Sequence, residues 1–234
     1  MTEVRTVDAG RAIEDHGYRP APKGLRANMI FSADGAAAFA GRAGPLSTPA
    51  DYRLLLALRA YADVVLVGAG TARAENYGPA ELLPEHLDQR RELGLGDQPP
   101  AIAVVSQSGR LPQRLLESPT PPILVTSGRG AGEGTDRCRV ITAGDDTVDM
   151  PDAIRRLRDD GMERILCEGG PTLLDKLVET DLVDELCITL APRLAGSQPV
   201  GNNTPAAIAT PTPMRLSHVL VAPDDYLYLR YRRS

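Results

Sequence analysis

Short, nearly continuous apolar runs punctuate the sequence at 25–31, 63–68, 101–106, 122–126, 163–167, 185–190, 216–221 and 226–231. Several are rich in Val and Ile, the pattern of strands covered on both faces. Helical spacing lies between some of them. Thr48 followed by Pro49 reads as an N-cap with proline in the first turn, and Leu54, Leu58 and Tyr61 recur at i, i+4 and i+7. Met150, Ile154 and Leu157 repeat the stripe, with Gly161 as the C-terminal stop. Leu173, Leu174, Leu177 and Val178 make a third, with Asp175, Lys176 and Glu179 opposite. This alternation predicts an α/β fold with a mixed, mostly parallel sheet. The four residues from Ala222 to Asp225 are few enough to join the last two runs as an antiparallel hairpin.

Three stretches lack such a pattern. Residues 1–22 hold Pro20 and Pro22, scattered charge and no apolar period, so they read as an N-terminal arm before one domain at 23–234. Residues 77–100 carry Pro79, Pro84, Pro99 and Pro100 around a charged segment, 85–93, expected to be a short surface helix. Residues 128–134 contain four glycines and no apolar anchor, and are expected to form a mobile loop.

Composition narrows the function classes. Hydrophobic residues at 42% and charged residues at 24% fit a soluble globular protein. The net charge of −5, without a dominant basic patch, argues against nucleic acid as a partner. There is no run of about 18 apolar residues, so no membrane-spanning helix is expected. The first residues carry Glu3, Asp8, Glu14 and Asp15 and lack the apolar core of a secretory signal. Cys138, Cys167 and Cys187 are odd in number and far apart, and read as reduced thiols of a cytoplasmic protein. His16, His86 and His218 lie in unrelated segments, and no His or Cys pair has metal-ligand spacing, so no metal is expected. No G-x-S-x-G motif, Walker loop or zinc-deaminase signature is present.

Three strand ends carry residues suited to chemistry. The run Val64 to Val67 ends in Gly68, Ala69, Gly70 and Thr71, where glycines let backbone amides approach an anion and Thr71 can cap a helix or bond a phosphate. Arg73 replaces the third glycine of the dinucleotide fingerprint, and a plain tight turn is the alternative. The run ending at Cys167 continues into Glu168, Gly169, Gly170, Pro171, Thr172 and Leu173. Pro171 suits a first helical turn, whose free amides and dipole favour a pyrophosphate, and Glu168 sits where α/β sheets open to a ligand crevice. Its alternative is a strand–helix joint with an exposed acid. The third end is Ser32, Ala33, Asp34 and Gly35, which alone reads as a turn and beside the other two loops as a site carboxylate.

These segments, in this order, resemble the reductase domain of bifunctional riboflavin biosynthesis proteins. The likeness rests on 28–35, the Thr48-Pro49 helix, 62–71, 101–110, 168–173, 182–186 and Leu190-Ala191-Pro192, and extends over about 24–232. It is similar above all to free-standing pyrimidine reductase family proteins of actinobacteria, which have no deaminase domain. The resemblance implies a dihydrofolate-reductase-like three-layer sandwich, NADPH as cofactor and a homodimer. It implies that Ile30, Gly70, Thr71 and Glu75 lie at the cofactor, Ser106 and Arg110 on its adenosine side, and Gly169, Gly170, Pro171, Thr172 and Leu173 at the pyrophosphate. Asp34, Arg59 and Glu168 would face the substrate, with Asp34 and Glu168 as the carboxylates available for catalysis. The family carries a serine where this sequence has Ala43 and a tryptophan where it has Pro45. The implied reaction is reduction of the ribosyl group of an aminopyrimidine phosphate to ribityl. A pterin such as dihydrofolate is the alternative substrate, and a non-catalytic NADPH-binding protein the alternative from another class.

Overall fold

The computed structural model describes residues 3–6, 18, 23–131, 137–196 and 207–234. Among the described residues ten strands form one sheet. They are β1 (Glu3–Thr6), β2 (Gly24–Ser32), β3 (Val64–Gly68), β4 (Ala101–Val105), β5 (Ile123–Thr126), β6 (Arg139–Thr142), β7 (Arg164–Cys167), β8 (Glu185–Ala191), β9 (Met214–Val221) and β10 (Leu227–Arg233). Six α-helices accompany them: α1 (Pro49–Ala60), α2 (Ala69–Ala74), α3 (Pro84–Glu92), α4 (Gln113–Leu116), α5 (Met150–Asp159) and α6 (Pro171–Glu179). The strand order is β1-β9-β10-β8-β2-β7-β3-β4-β5-β6. Pairing is parallel from β8 through β2, β7, β3, β4 and β5 to β6, and antiparallel where β10 meets β8 and β9. The fold is thus a mixed, mostly parallel α/β sheet with the expected C-terminal hairpin.

The alternation of β3 shows why the central runs read as continuously apolar. Val65 and Val67 enter one core with Leu54 and Leu58 of α1. Val64 and Leu66 enter the other with Ile154 and Leu157 of α5 and Leu173 and Leu177 of α6. Both faces of β3 are covered, so its successive residues are apolar on both. The helix termini follow their local chemistry. The Thr48 side chain accepts from the Asp51 N–H at 3.2 Å, and the Asp149 side chain accepts from the Asp152 N–H at 2.9 Å. α5 stops at Gly161, whose φ of 85° suits the left-handed position after a helix, with the Met162 N–H reaching back to the Leu157 carbonyl.

Several elements depart from the sequence expectations. Within the segment read as an arm, Glu3–Thr6 pairs in parallel with β9, and Tyr18 is fully buried. The four-residue β6 carries too few apolar positions to stand out. Gly128–Gly130 forms a 3-10 turn closed by Ala131, and residues 132–134 of the expected glycine loop lie outside the described residues. The helix expected at 85–93 is α3, but Arg90 is buried. Its guanidinium donates to the carbonyls of Ala60 and Ala62 at 3.2 and 2.6 Å, capping the end of α1 with positive charge. β10 lies inside the sheet between β8 and β9, and Tyr228 on it is fully buried.

Candidate active site

The parallel strands β2, β3, β4 and β7 end together at the carboxyl edge of the sheet, the side on which α/β folds bind ligands. A cleft of about 1040 Å³ opens there. Its walls come from α1, the joint of β3 with α2, the segment 76–81, and the joint of β7 with α6.

Of the residues expected at the site, Ile30, Arg59, Gly70, Thr71, Glu75 and Glu168 line this cleft, together with the stretch from Gly170 to Leu173. Gly170 precedes α6, with Pro171 in its first turn. Pro171 has no N–H, and the Thr172 N–H has no carbonyl ahead of it in the helix, so a donor and the positive dipole end face the cleft. The Gly169–Gly170 peptide is cis. A Cβ on Gly170 would overlap Thr71 Oγ1, so only glycine lets these two loops approach. The Gly68 N–H donates to the Gly169 carbonyl at 2.7 Å and ties the same loops.

Glu168 is the charged centre of the site. Arg59 Nε donates to its Oε1 at 2.7 Å and Arg59 Nη2 to its Oε2 at 2.9 Å, a bidentate fork. The Tyr77 hydroxyl donates to Oε2 at 2.7 Å. Both side chains of the ion pair are buried, and Arg59 also lies 5.9 Å from the centroid of the Tyr77 ring. Burial alone would lower the pKa of Arg59, but the opposed Glu168 carboxylate outweighs it and raises it. The Tyr77 phenol is pushed well up by burial and by Glu168. Both carboxylate oxygens of Glu168 thus accept hydrogen bonds from its neighbours.

Four expected residues do not line the cleft. Asp34 stands in an exposed turn, where Oδ1 accepts from Ser32 Oγ at 2.5 Å and from the Ala195 N–H at 3.1 Å, and Oδ2 from the Gly196 N–H at 2.8 Å. Those bonds, the Ser32 hydroxyl first, lower its pKa to about 2. Gly35 does turn the backbone, as the motif suggested, but it turns the carboxylate toward residues 193–196. Ser106 is buried and its hydroxyl donates to the Arg110 carbonyl at 3.3 Å. Val105 and Gln107 line the cleft, and the residue between them turns to the other side. Arg110 is exposed and also lies outside the lining. Gly169, with φ 78°, packs where a Cβ would meet Met29 Sδ at 2.8 Å. Glu75 lines the cleft but also fixes the loop before α1, since its Oε1 accepts from the Ala43 N–H at 2.7 Å.

The structure adds residues that sequence reasoning did not single out. Asp51 lines the cleft from the first turn of α1, and its oxygens accept from Thr189 Oγ1 at 2.6 Å and Ser47 Oγ at 2.5 Å. Burial raises its carboxyl pKa, and the two hydroxyls partly offset that rise. Tyr77 could have been found from its neighbour. Asn76, with φ 50°, closes α2, and the Tyr77 N–H returns to the Ala72 carbonyl at 2.9 Å. This closure is a standard helix stop and carries Tyr77 into the site. Gln107, Arg114, Thr147 and Lys176 also line the cleft, from four separate segments. Among the described residues no cluster suited to a metal ion occurs, and no helix is long and apolar enough to cross a membrane.

A parallel sheet with a glycine-lined helix start at its carboxyl edge and a buried Arg–Glu pair beside it frames a ligand cleft, and the chain belongs to the RibD C-terminal domain family, which it matches over residues 23–228. It is 29% identical over 176 residues to the 2,5-diamino-6-ribosylamino-4(3H)-pyrimidinone 5′-phosphate reductase of Methanothermobacter thermautotrophicus, a match covering 73% of this chain and 78% of that one. It is 27% identical over 159 residues to the protein of the same name from Archaeoglobus fulgidus, covering 65% and 72%. A pyrimidine reductase-like protein of Corynebacterium diphtheriae superposes with a TM-score of 0.79 at 28% identity, over 94% of this chain and 98% of that one. The deaminase/reductase of Thermotoga maritima shares the fold at 17% identity and a TM-score of 0.72, with 57% of its length covered.

Proposed function

We propose that the protein is an NADPH-dependent reductase that converts the ribosyl group of a riboflavin-pathway aminopyrimidine 5′-phosphate to ribityl. The observation that carries this reading is the union, in one cleft, of the anion cradle at Thr71 and Gly170 with the polar half built from Asp51, Arg59, Tyr77 and Glu168. A volume of about 1040 Å³ is at the upper end for a single small ligand and suits cofactor and substrate together. The named activity of the archaeal relatives supports the substrate class.

The residues present fit a dinucleotide. Gly70 borders open space, Gly170 seats the Thr71 hydroxyl beside the helix start, and the start of α6 offers an unpaired amide to a pyrophosphate. The loop after β4 carries Gln107, Ser108 and Arg110 but no acid to grip a ribose 2′-hydroxyl, which favours NADPH over NADH. When bound, the nicotinamide supplies the hydride. Reduction of an acyclic C=N group also needs a proton at nitrogen. Asp51 is the carboxyl of the cleft fit to hold that proton, because burial raises its pKa while Ser47 and Thr189 fix its orientation. The Arg59–Glu168–Tyr77 unit holds the substrate wall against the Gly169–Gly170 loop and excludes water. Cys138, Cys167 and Cys187 form no disulfide among the described residues, which suits a reducing, cytoplasmic setting. A homodimer is what the resemblance to the reductase family implies for its assembly.

The test is steady-state oxidation of NADPH and of NADH by the purified protein with the aminopyrimidine ribosyl phosphate, and separately with dihydrofolate. Turnover of the aminopyrimidine with NADPH preferred by at least about tenfold is expected. Turnover confined to dihydrofolate would move the substrate to a pterin, and cofactor binding without turnover would leave a non-catalytic protein.

A further inference from the structure

The cleft is lined by four carboxylates, Asp51, Glu75, Glu81 and Glu168, and by three cations, Arg59, Arg114 and Lys176. A phosphate ester entering it needs one of those cations. Arg59 is consumed by its bidentate pair with Glu168. Lys176 lies on α6 and pairs with Glu179 at 2.8 Å. Arg114 differs, since its one hydrogen bond among the described residues runs from Nη1 to the Asn76 carbonyl at 3.0 Å, and it forms no ion pair there. An arginine has five N–H donors, so most of this fork is uncommitted.

Arg114 is exposed at the cleft rim, but the backbone that carries it is anchored and one face of its fork is packed. Leu115, the next residue of α4, is buried in the core on the α1 side of the sheet. On the other side, Gly78 lies flat against the guanidinium. A Cβ there would stand 3.1 Å from Nη2, 3.2 Å from Cζ and 3.3 Å from Nε. The 76–78 backbone is in turn fixed by the left-handed Asn76 and by the Tyr77–Glu168 bond. A planar fork pre-positioned with free donors is the geometry that binds phosphate oxygens in pairs.

We propose that Arg114, seated on Gly78, binds the phosphate monoester of the substrate and makes the cleft select phosphorylated over unphosphorylated aminopyrimidine ribosides. This deepens the reductase reading and rests on it for the identity of the substrate. Cofactor phosphates are the other source of the same chemistry, and the experiment separates the two.

Arg114→Met, Arg114→Lys and Gly78→Ala are compared with the unaltered protein. For Arg114→Met, KM for the phosphorylated substrate rises about tenfold or more while kcat stays within about threefold, and KM for the dephosphorylated riboside is unchanged. Arg114→Lys recovers part of the loss, and Gly78→Ala gives an intermediate rise at unchanged Tm. Calorimetric affinity for NADPH is the same in all four. A second readout requires no turnover. Ribose 5-phosphate added to NADPH-saturated protein is followed by phosphorus NMR, and binding that disappears in Arg114→Met supports the site even if the aminopyrimidine is not reduced, in which case the reaction reading alone fails. Equal binding of ribose 5-phosphate to Arg114→Met and the unaltered protein, or no binding to either, overturns the proposal. So does an equal KM rise for phosphorylated and dephosphorylated substrates. A drop in NADPH affinity would assign Arg114 to the cofactor and overturn it as well.

Discussion

At the scale of single residues, two carboxylates that look alike in the sequence have opposite surroundings. Glu168 is buried under a fork from Arg59 and a phenol from Tyr77. Glu168→Gln would leave the Arg59 charge without compensation, and breaking a buried pair in this way costs about 3–5 kcal/mol. Denaturant titration is expected to show a loss in that range, together with loss of turnover. Asp34 instead holds the 193–196 loop from an exposed turn. Its pKa is lowered to about 2, so its contribution is present above the ordinary carboxylate range and is lost as pH falls toward about 2. Asp34→Asn should therefore flatten the acid side of the stability profile and leave kcat/KM at neutral pH within about threefold. A fall of about 10²-fold without any change in the acid limb would return Asp34 to the site. The sequence placed both acids at strand ends correctly. It could not show that backbone amides 161 and 162 positions away would claim Asp34, because that depends on a loop meeting it only in the folded state.

At the scale of elements, the active cleft is a property of joints. The β7–α6 joint is legible because glycine, glycine and proline have few other uses in succession before an apolar helical stripe. The same holds for α1, whose Thr48 and Pro49 mark its first turn. The short α2 and α4 are not legible, since six and four residues are too few to show a period, and these two elements deliver Thr71, Tyr77 and Arg114. α3 is legible, but its buried Arg90 reads as surface charge, because an arginine serving backbone carbonyls leaves no mark in a pattern of apolar positions. Gly170→Val is the test of the β7–α6 joint. The added side chain would run into Thr71 Oγ1, so NADPH affinity should fall by about tenfold or more while the circular dichroism spectrum and Tm stay close to those of the unaltered protein. Unchanged affinity would remove the pyrophosphate from this helix start.

At the scale of the whole molecule, the sheet gathers the cleft-lining residues at its carboxyl edge, with α1 on one face and α5 and α6 on the other. The double coverage explains why the fold class could be read from apolar runs. Assembly could not be read the same way, because the last strand lies inside the sheet and buries Tyr228 within the protein. Light scattering at micromolar concentration is expected to give about 50 kDa, twice the monomer mass of 25.0 kDa, through a symmetric interface. A monomer mass would contradict that assembly. The most direct test of the central claim is mass spectrometry of the product formed from the aminopyrimidine ribosyl phosphate and NADPH deuterated at the transferred C4 position. A reductase acting in this cleft yields the ribityl product with one deuterium from the cofactor and one proton from the medium. Recovery of unreduced ribosyl substrate, with the label still in the nicotinamide, would contradict the account.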